Sequence, residues 1–367
     1  MPIYMDRHDV SADVTAENVA MLHQQDLKIQ HKFHCQGLTY WFDGARKTAF
    51  CLIEAPDEQA IIEMHNHAHG EVPHRVIEVD PTIVESFLGR IEDPENVNNS
   101  HLNVIDDPAF RVIMIAELNS TSLCVKEMME FTSGDEKYKF YHEEIKRFEG
   151  SLVSQKGIQL LISFKKASQA VHCAQAMQSK HPGLNGNSST KNTELKIAIC
   201  GGVPVTDEKR LFEKAIRIVK NMSEISKAKI IASTEVKDLC ERENCYFSDL
   251  ATPVHVVTAS EDSFLEALMM FIEQNLGNEN LSVGDFNAHL GYSKSRLYRK
   301  MVDLTGKSPN VFLKDYRLKW ALSLLENGDR TISEVSCDAG FGSLAYFSTC
   351  FQKKYELSPS EFKKRIE

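Results

Sequence analysis

The first eighty residues alternate between two hydrophobic periods. "PIYMDRHDV" (2–10), "LTYWFD" (38–43), "TAFCLIEAP" (48–56) and "HRVIEV" (74–79) place apolar side chains at every second position or in short runs, as strands do. Between them, "TAENVAMLHQQDLKIQHKF" (15–33) and "DEQAIIEMHNHAHG" (57–70) show the three-to-four spacing of amphipathic helices. The order is strand, helix, strand, strand, helix, strand, with a hairpin around Gly44. "GRIEDPENVNNSHLNVIDDP" (89–108) then loses periodicity and gathers Asn, Asp and Pro, which predicts a linker and a new domain from about Phe110.

The second block repeats the alternation. Strands are expected at "FRVIMIAEL" (110–118), "IQLLISF" (158–164), "ELKIAICGGVPV" (194–205), "KIIAS" (229–233) and "TPVHVVTA" (252–259). Helices are expected at "KYKFYHEEIKRFEGSLVSQ" (137–155), "KKASQAVHCAQAMQSK" (165–180) and "EKRLFEKAIRIVKNMSEIS" (208–226), and "HPGLNGNSSTKNT" (181–193) reads as a polar loop. From Glu261 onward only helical spacing remains, in seven short segments. Ser282, Ser293, Ser308 and Ser358 stand at helix starts, and Pro309 and Pro359 in first turns. The expected fold is therefore multidomain. An α/β N-terminal domain (1–90) has the split βαβ, ferredoxin-like plan; an α/β middle domain (108–258) follows, and an all-α C-terminal domain (261–367) closes the chain.

Composition narrows the function classes. No apolar run reaches the length of a membrane span and the first ten residues lack the pattern of a secretory leader, so a cytoplasmic protein is expected. Nine cysteines are scattered without a C-x-x-C pair, which argues against a disulfide framework or a zinc knuckle. Charge is uneven: residues 282–367 carry net +4 and residues 1–281 net −14. A basic tail on an acidic body permits nucleic-acid binding without requiring it.

Two helix pairs in the tail, "VGDFNAHLGYSKSRLYRKM" and "ISEVSCDAGFGSLAYFSTCFQKK", each turn at a glycine (Gly291, Gly340) and restart with a polar or basic helix, in helix-turn-helix proportions. Residues 261–367 resemble the AraC/XylS family of bacterial transcription regulators nearly end to end. That resemblance implies two reading helices in successive major grooves of double-stranded DNA. Lys294, Ser295, Arg296, Arg299 and Lys300 fall on the first, and Ser343, Leu344, Tyr346, Thr349 and Lys353 on the second. Arg296 is the candidate for a bidentate guanine contact, while Arg299, Lys300 and Lys353 suit phosphate. The chain departs from the family at Thr349, where Arg is usual, and at Glu356, where a helix-ending Gly is preferred. A protein-binding helical bundle is the competing reading.

The middle block resembles the class III nucleotide cyclase homology domain through "STSL", "KGIQLLISF", "KIAICGGVPV" and "FEKAIRIVKNMSEISKAKIIASTEV". That family uses two metal-holding aspartates. Here one position falls on Ala116 or Glu117 and the other on Ile158, after Gly157, while Arg217 and Asn221 stand where a catalytic Arg and Asn are expected. An isoleucine cannot hold a divalent ion against a triphosphate, so the domain is expected to be inactive. It then serves as a dimer scaffold, a ligand cleft or a plain spacer.

"MHNHAHGEVPH" (64–74) holds four of the fourteen histidines. His65 and His69 are four apart, on one face of the expected helix, where two imidazoles can share an ion. A wet surface cluster or a pH switch near neutrality would look the same in sequence. "MPIYMDRHDV", "LTYWFD", "AFCLIEAPD" and "HNHAHG" resemble a small bacterial nickel-binding, ferredoxin-like family, which implies His8, His65 and His69 as ligands, with His23 a further candidate. Imidazole suits Ni(II), Cu(II) and Zn(II) alike, and binding is expected to weaken below about pH 6.5, where free imidazole protonates. The resulting expectation is a homodimeric, non-enzymatic transcription regulator whose N-terminal domain senses a divalent transition metal, nickel-like, or a small effector. The rivals are a nucleotide-binding or cyclase-type enzyme with a DNA-binding tail, and a metal buffer.

Overall fold

Strands β1 (Ile3–Asp9), β2 (Gln36–Asp43), β3 (Thr48–Glu54) and β4 (Arg75–Val79) pair antiparallel in the order β2-β3-β1-β4. Helices α1 (Ala16–Ile29) and α2 (Glu58–Ala68) cover one face, so the N-terminal plan is the ferredoxin-like one expected. Each helix starts where the sequence supplies a cap. The Thr15 and Asn18 side chains form a capping box, and Asp57 accepts the Ala60 amide. The computed structural model describes residues 1–94, 102–120, 136–156, 159–181, 193–225, 228–326, 328 and 330–366. Ile158 and Gly157, and most of the expected loop at 181–193, lie outside the described residues.

Past β4 the chain makes a helix that the periodicity left unread, α3 (Pro81–Leu88). Asp80 caps it, Pro81 opens it, and Gly89 ends it at φ 84°, all signals present in the sequence. The described end of the expected linker is packed, not free. The Tyr40 hydroxyl donates to the Asn103 carbonyl at 2.9 Å and accepts from the Ile105 amide at 2.8 Å.

The second sheet comprises β5 (Arg111–Ser120), β6 (Ser151–Lys156), β7 (Gln159–Phe164), β8 (Thr193–Gly202), β9 (Ile230–Ser233) and β10 (Val254–Val257), in the order β10-β9-β8-β5-β7-β6. Its first four strands, β8-β5-β7-β6 in space, repeat the plan of the N-terminal sheet, and β9 and β10 extend it in parallel. Helices α4 (Glu136–Arg147), α5 (Ala167–Lys180), α6 (Glu213–Ser223) and α7 (Thr234–Arg242) connect them. The long helix expected over 137–155 is corrected here. It stops at Arg147, reverses through Glu149 at φ 57° and Gly150, and returns as β6. A Cβ on Gly150 would lie 2.5 Å from the Phe164 ring, so the reversal needs glycine. Helix α7 was also unforeseen, although Ser233 caps it by accepting the Val236 amide.

One core fills the side of the second sheet covered by α4, α5 and α7. Another joins the two sheets: Met5, Trp41, Phe50 and Leu52 of the first meet Ile113 and Ile115 of the second, with Phe212, Val219 and Met222 from α6 and its N-cap. Each such side chain, fully buried, contributes about 1.5–3 kcal/mol, which makes this a firm junction between the domains.

The remaining chain is helical, as expected: α8 (Ala259–Gln274), α9 (Val283–Leu290), α10 (Lys294–Thr305), α11 (Pro309–Glu326), α12 (Ile332–Asp338), α13 (Leu344–Tyr355) and α14 (Pro359–Ile366). Phe264, Phe286, Leu297, Met301 and Phe312 build one half-core; Leu318, Leu325, Val335, Phe347 and Phe351 build the other. Helix α11 runs through both. Gly340, at φ 75°, turns the second pair where a Cβ would strike the Leu276 carbonyl. Among the described residues no helix is long and apolar enough to cross a membrane.

Candidate metal centre and nucleic-acid interface

Alternation along β1 sends Tyr4, Asp6 and His8 toward the helices, and Ile3 and Met5 toward the second sheet. Asp6 is fully buried and accepts the Cys51 amide at 2.8 Å. His65, on the buried face of α2, bonds through Nε2 to Asp6 at 2.9 Å and through Nδ1 to Asp26 of α1 at 3.1 Å. His69, which ends α2, puts its Nε2 3.3 Å from His65 Nδ1 and 3.2 Å from Asp26 Oδ1. Three donor atoms from Asp26, His65 and His69 thus form a nearly equilateral triangle. Ligands held at about 2.0–2.2 Å around one ion stand at about such spacings. The geometry fits a divalent metal, with Asp6 holding the far ring nitrogen of His65 and so fixing the orientation of its ring.

His8 joins from the other side, its Nε2 3.3 Å from Asp6 Oδ2, and with Asp6 and Cys51 it makes a second trio of potential ligands. His23 does not belong to either trio. It is buried beside Tyr40 with Nε2 lacking a hydrogen-bond partner, 3.8 Å from Asp93. His67 and His74 are exposed and bond to backbone groups instead. The ligands expected from the sequence were all histidines; the structure sets Asp26 among them and Asp6 against the far ring nitrogen of His65. Both were open to detection: Asp6 shares a strand face with His8, and Asp26 lies three residues beyond His23 on the buried stripe of α1.

Electrostatics follow from this packing. Burial alone would raise the pKa of Asp6, but His8 and His65 overcome it and hold the carboxyl below its ordinary range. Asp26 behaves likewise, with burial outweighed by His65 and His69. For His65, burial opposes the charge, yet bonds to Asp26 and Asp6 push its pKa up to about 10. The titration expected near pH 6.5 for a free imidazole thus moves upward for His65. Burial pushes the pKa of His23 down.

At the other end of the chain, Lys294, Ser295, Arg296 and Arg299 on α10, and Ser343, Leu344, Tyr346, Thr349 and Lys353 around α13, are all exposed. Arg296 lies over the Tyr292 ring at 5.0 Å. Lys300 is half-buried and its Nζ contacts Ser260 Oγ at 3.3 Å, which engages it with the start of α8. Ser343 Oγ accepts the Tyr346 amide, and Thr349 Oγ1 donates to the Ala345 carbonyl, so each hydroxyl is partly committed to its own helix. Leu344 and Tyr346 leave a large apolar surface on that face. In the middle domain Ala116 is sealed in the core, Glu117 lies 4.0 Å from Lys319, and Arg217 pairs with Glu208 at 2.5 Å.

Comparison with known proteins meets both terminal resemblances. The family described as nickel responsive protein SCO4226-like matches residues 4–79, and the helix-turn-helix domain family matches residues 287–365. Among similar proteins, "Histidine kinase P4" of Formosa agariphila is 37% identical over 115 residues, 31% of this chain and 8% of that protein. "Transcriptional activator PerA" of Escherichia coli is 29% identical over 118 residues, 32% of this chain and 42% of that one. The chain thus spans less than half the length of these curated relatives. The crystal structure of SCO4226 from Streptomyces coelicolor aligns with 21% of this chain and 94% of that one, at 28% identity and TM-score 0.20.

Proposed function

We propose that this chain is a one-component transcription regulator, in which a metal-holding N-terminal domain governs a C-terminal double helix-turn-helix that reads double-stranded DNA. The observation that carries the reading is the Asp26–His65–His69 triangle, built on the same chain as two exposed reading faces. A divalent ion there would be held by Asp26 from α1 and by His65 and His69 from α2, and would so tie the two helices together. Asp26, His65 and His69 are the direct ligands, with Asp6 orienting His65 and His8 supporting Asp6. A nickel-like ion suits this nitrogen-and-oxygen set, and the matched N-terminal family supports that choice.

On the DNA side, Arg296 reads a base edge and Arg299, Lys294 and Lys353 hold phosphate. Leu344 and Tyr346 supply apolar contact in the second groove. The middle domain acts as a cyclase-like scaffold without catalysis, within a cytoplasmic homodimer. What supports a scaffold role is that Glu117 faces a lysine and Ala116 is core.

The test is a paired titration of wild type and a His65→Ala/His69→Ala variant, measuring Ni(II) content and operator affinity together. Metal bound by wild type alone, with operator affinity moving by about 5- to 150-fold on loading, is the expected result. Equal metal content in both proteins would reject these ligands. Arg296→Ala is expected to cost about 1–3 kcal/mol at a single base-pair position. Uniform loss over all sequences would make Arg296 a phosphate contact instead.

A further inference from the structure

Two contacts between the DNA-binding helices and the preceding domains stand out among the described residues. One is α8, whose Leu265 sits in the core between the sheets while Phe264 and Leu268 build the first half-core. The other is an ion pair at the midpoint of α11. Lys319 Nζ lies 2.7 Å from Glu224 Oε1 and 4.0 Å from Glu117 Oε1, and both carboxylates are largely shielded, at 16% and 14% side-chain exposure.

The position of this pair is what gives it consequence. Lys319 follows Leu318, where α11 passes from one half-core to the other. One turn earlier, Asp315 is held by Lys307 at 2.7 Å and by Lys354 at 3.6 Å, so both halves of the DNA-binding domain converge on this segment. Across the pair, Glu224 is the C-cap of α6. That helix and its N-cap pack Phe212, Val219 and Met222 into the same core as Met5 and Leu52. Met5 is the strand neighbour of Asp6. A shift of β1 at the metal centre therefore bears directly on α6 and, through its end, on α11.

We propose that Lys319 and Glu224 form a catch, the second mounting point that transmits the state of the N-terminal domain to the DNA-binding domain. Through α8, where Glu266 lies 3.8 Å from Arg217 of α6, the helical domain is held by one helix; the catch adds a second hold, from the C-terminal end of α6. A ligand alters DNA affinity only through a difference between two arrangements, and the catch makes those arrangements distinct. Glu117, near the end of β5 and one of the two positions where the cyclase resemblance puts a metal-holding carboxylate, is the auxiliary anion of the catch. The proposal rests on the reading of the chain as a metal-responsive regulator.

The experiment uses the full chain as wild type, Lys319→Glu, Glu224→Lys and the double exchange. Zero-length carbodiimide coupling followed by peptide mass spectrometry reads the contact itself, with the Lys180–Glu144 pair of the middle domain, at 2.5 Å, reporting correct folding. Wild type should give a 319–224 cross-link, each single reversal should lose it, and the double exchange should regain it. In parallel, operator affinity is measured with and without Ni(II). The metal-dependent ratio, about fivefold or more in wild type, should collapse toward one in the single reversals and return in the double exchange. Absence of the wild-type cross-link, or single reversals that keep the wild-type ratio, overturns the catch. A wild type whose DNA affinity ignores Ni(II) refutes the regulator reading and, with it, the signalling role of the catch, even where the cross-link forms.

Discussion

The N-terminal sheet and the middle sheet share one plan, β4-β1-β3-β2 in the first and β8-β5-β7-β6 in the second, yet their central strands carry opposite chemistry. On the helix-covered side, β1 presents Tyr4, Asp6 and His8, whereas β5 presents Val112, Met114 and Ala116. Burial is similar: Asp6 and Met114 both have no exposed surface. The difference lies in what meets them. A buried carboxylate is tolerated only where partners replace its water, and Asp6 has the Cys51 amide, His8 and His65. Met114 is surrounded by apolar core. The plan thus positions a face, and the side chains on that face decide whether it becomes a ligand site or a packing surface.

The most direct way to break the comparison is to move the carboxylate. Met114→Asp puts a charge into the core beneath α4, α5 and α7 with no cationic or amide partner supplied, and should destabilise the middle domain by about 3–5 kcal/mol. Urea unfolding measures this. A loss under about 1 kcal/mol would mean that the core at Met114 is wetter than its packing indicates.

Next in size is the split between ligand and support within the N-terminal site. Asp6→Asn keeps the shape but weakens the acceptor of His65, and should cost about 10- to 100-fold in Ni(II) affinity. Asp26→Ala removes a corner of the triangle and should cost more. Calorimetric titration decides the order, and a greater loss for Asp6→Asn would make Asp6 a ligand and Asp26 the support.

How far the sequence revealed these sites depends on which contrast each residue makes with its surroundings. His65 and His69 stood out because histidine is scarce and their spacing matches a helical turn. Asp6 and Asp26 did not, since acidic residues are common and only strand register or the buried stripe of α1 separates a buried one from a wet one. The seven C-terminal helices were legible from helix starts at Ser282, Ser293, Ser308 and Ser358 and turns at Gly291 and Gly340. Strand β6 was missed because its alternation is short and it follows α4 after only three residues, of which Gly150 alone signals a break. The ion pair between Lys319 and Glu224 joins residues ninety-five apart, which no local pattern encodes.

A pH series sharpens the comparison further. His65 has a folded-state pKa of about 10 against an ordinary 6.5, so its contribution is fully present below pH 6.5 and is lost as pH rises toward 10. Asp6 and Asp26, both lowered from 3.8, contribute above that pH and lose their effect in acid below it. His23, lowered from 6.5, favours its neutral form, so its contribution changes below that pH and stays constant over the window above it. Metal-free protein should therefore unfold at progressively lower urea between pH 6.5 and 10, as followed by Trp41 fluorescence in a Trp320→Phe background. A His65 imidazole whose own NMR titration falls near pH 6.5 would show that it is not held as a cation.

The smallest expected effect tests whether His69 belongs to the triangle. In the metal-free chain the Glu71 amide donates to His69 Nδ1 at 3.1 Å, which requires Nδ1 to be the bare nitrogen and Nε2, facing Asp26, to carry the proton. Ligation through Nε2 reverses that assignment: Nδ1 takes the proton and can no longer accept. The Glu71 amide must then find water, and Gly70, at φ 82° with open space around it, lets the turn move. Amide exchange at Glu71 should accelerate on Ni(II) loading by about 3- to 10-fold, the scale of losing one modest hydrogen bond. Over the same titration the amides of Val112 to Ala116, in the sheet of the same plan without ligands, should hold their rates. If Glu71 exchanges no faster with metal bound, His69 keeps its proton on Nε2, and the centre is built from His65 and the carboxylates without it.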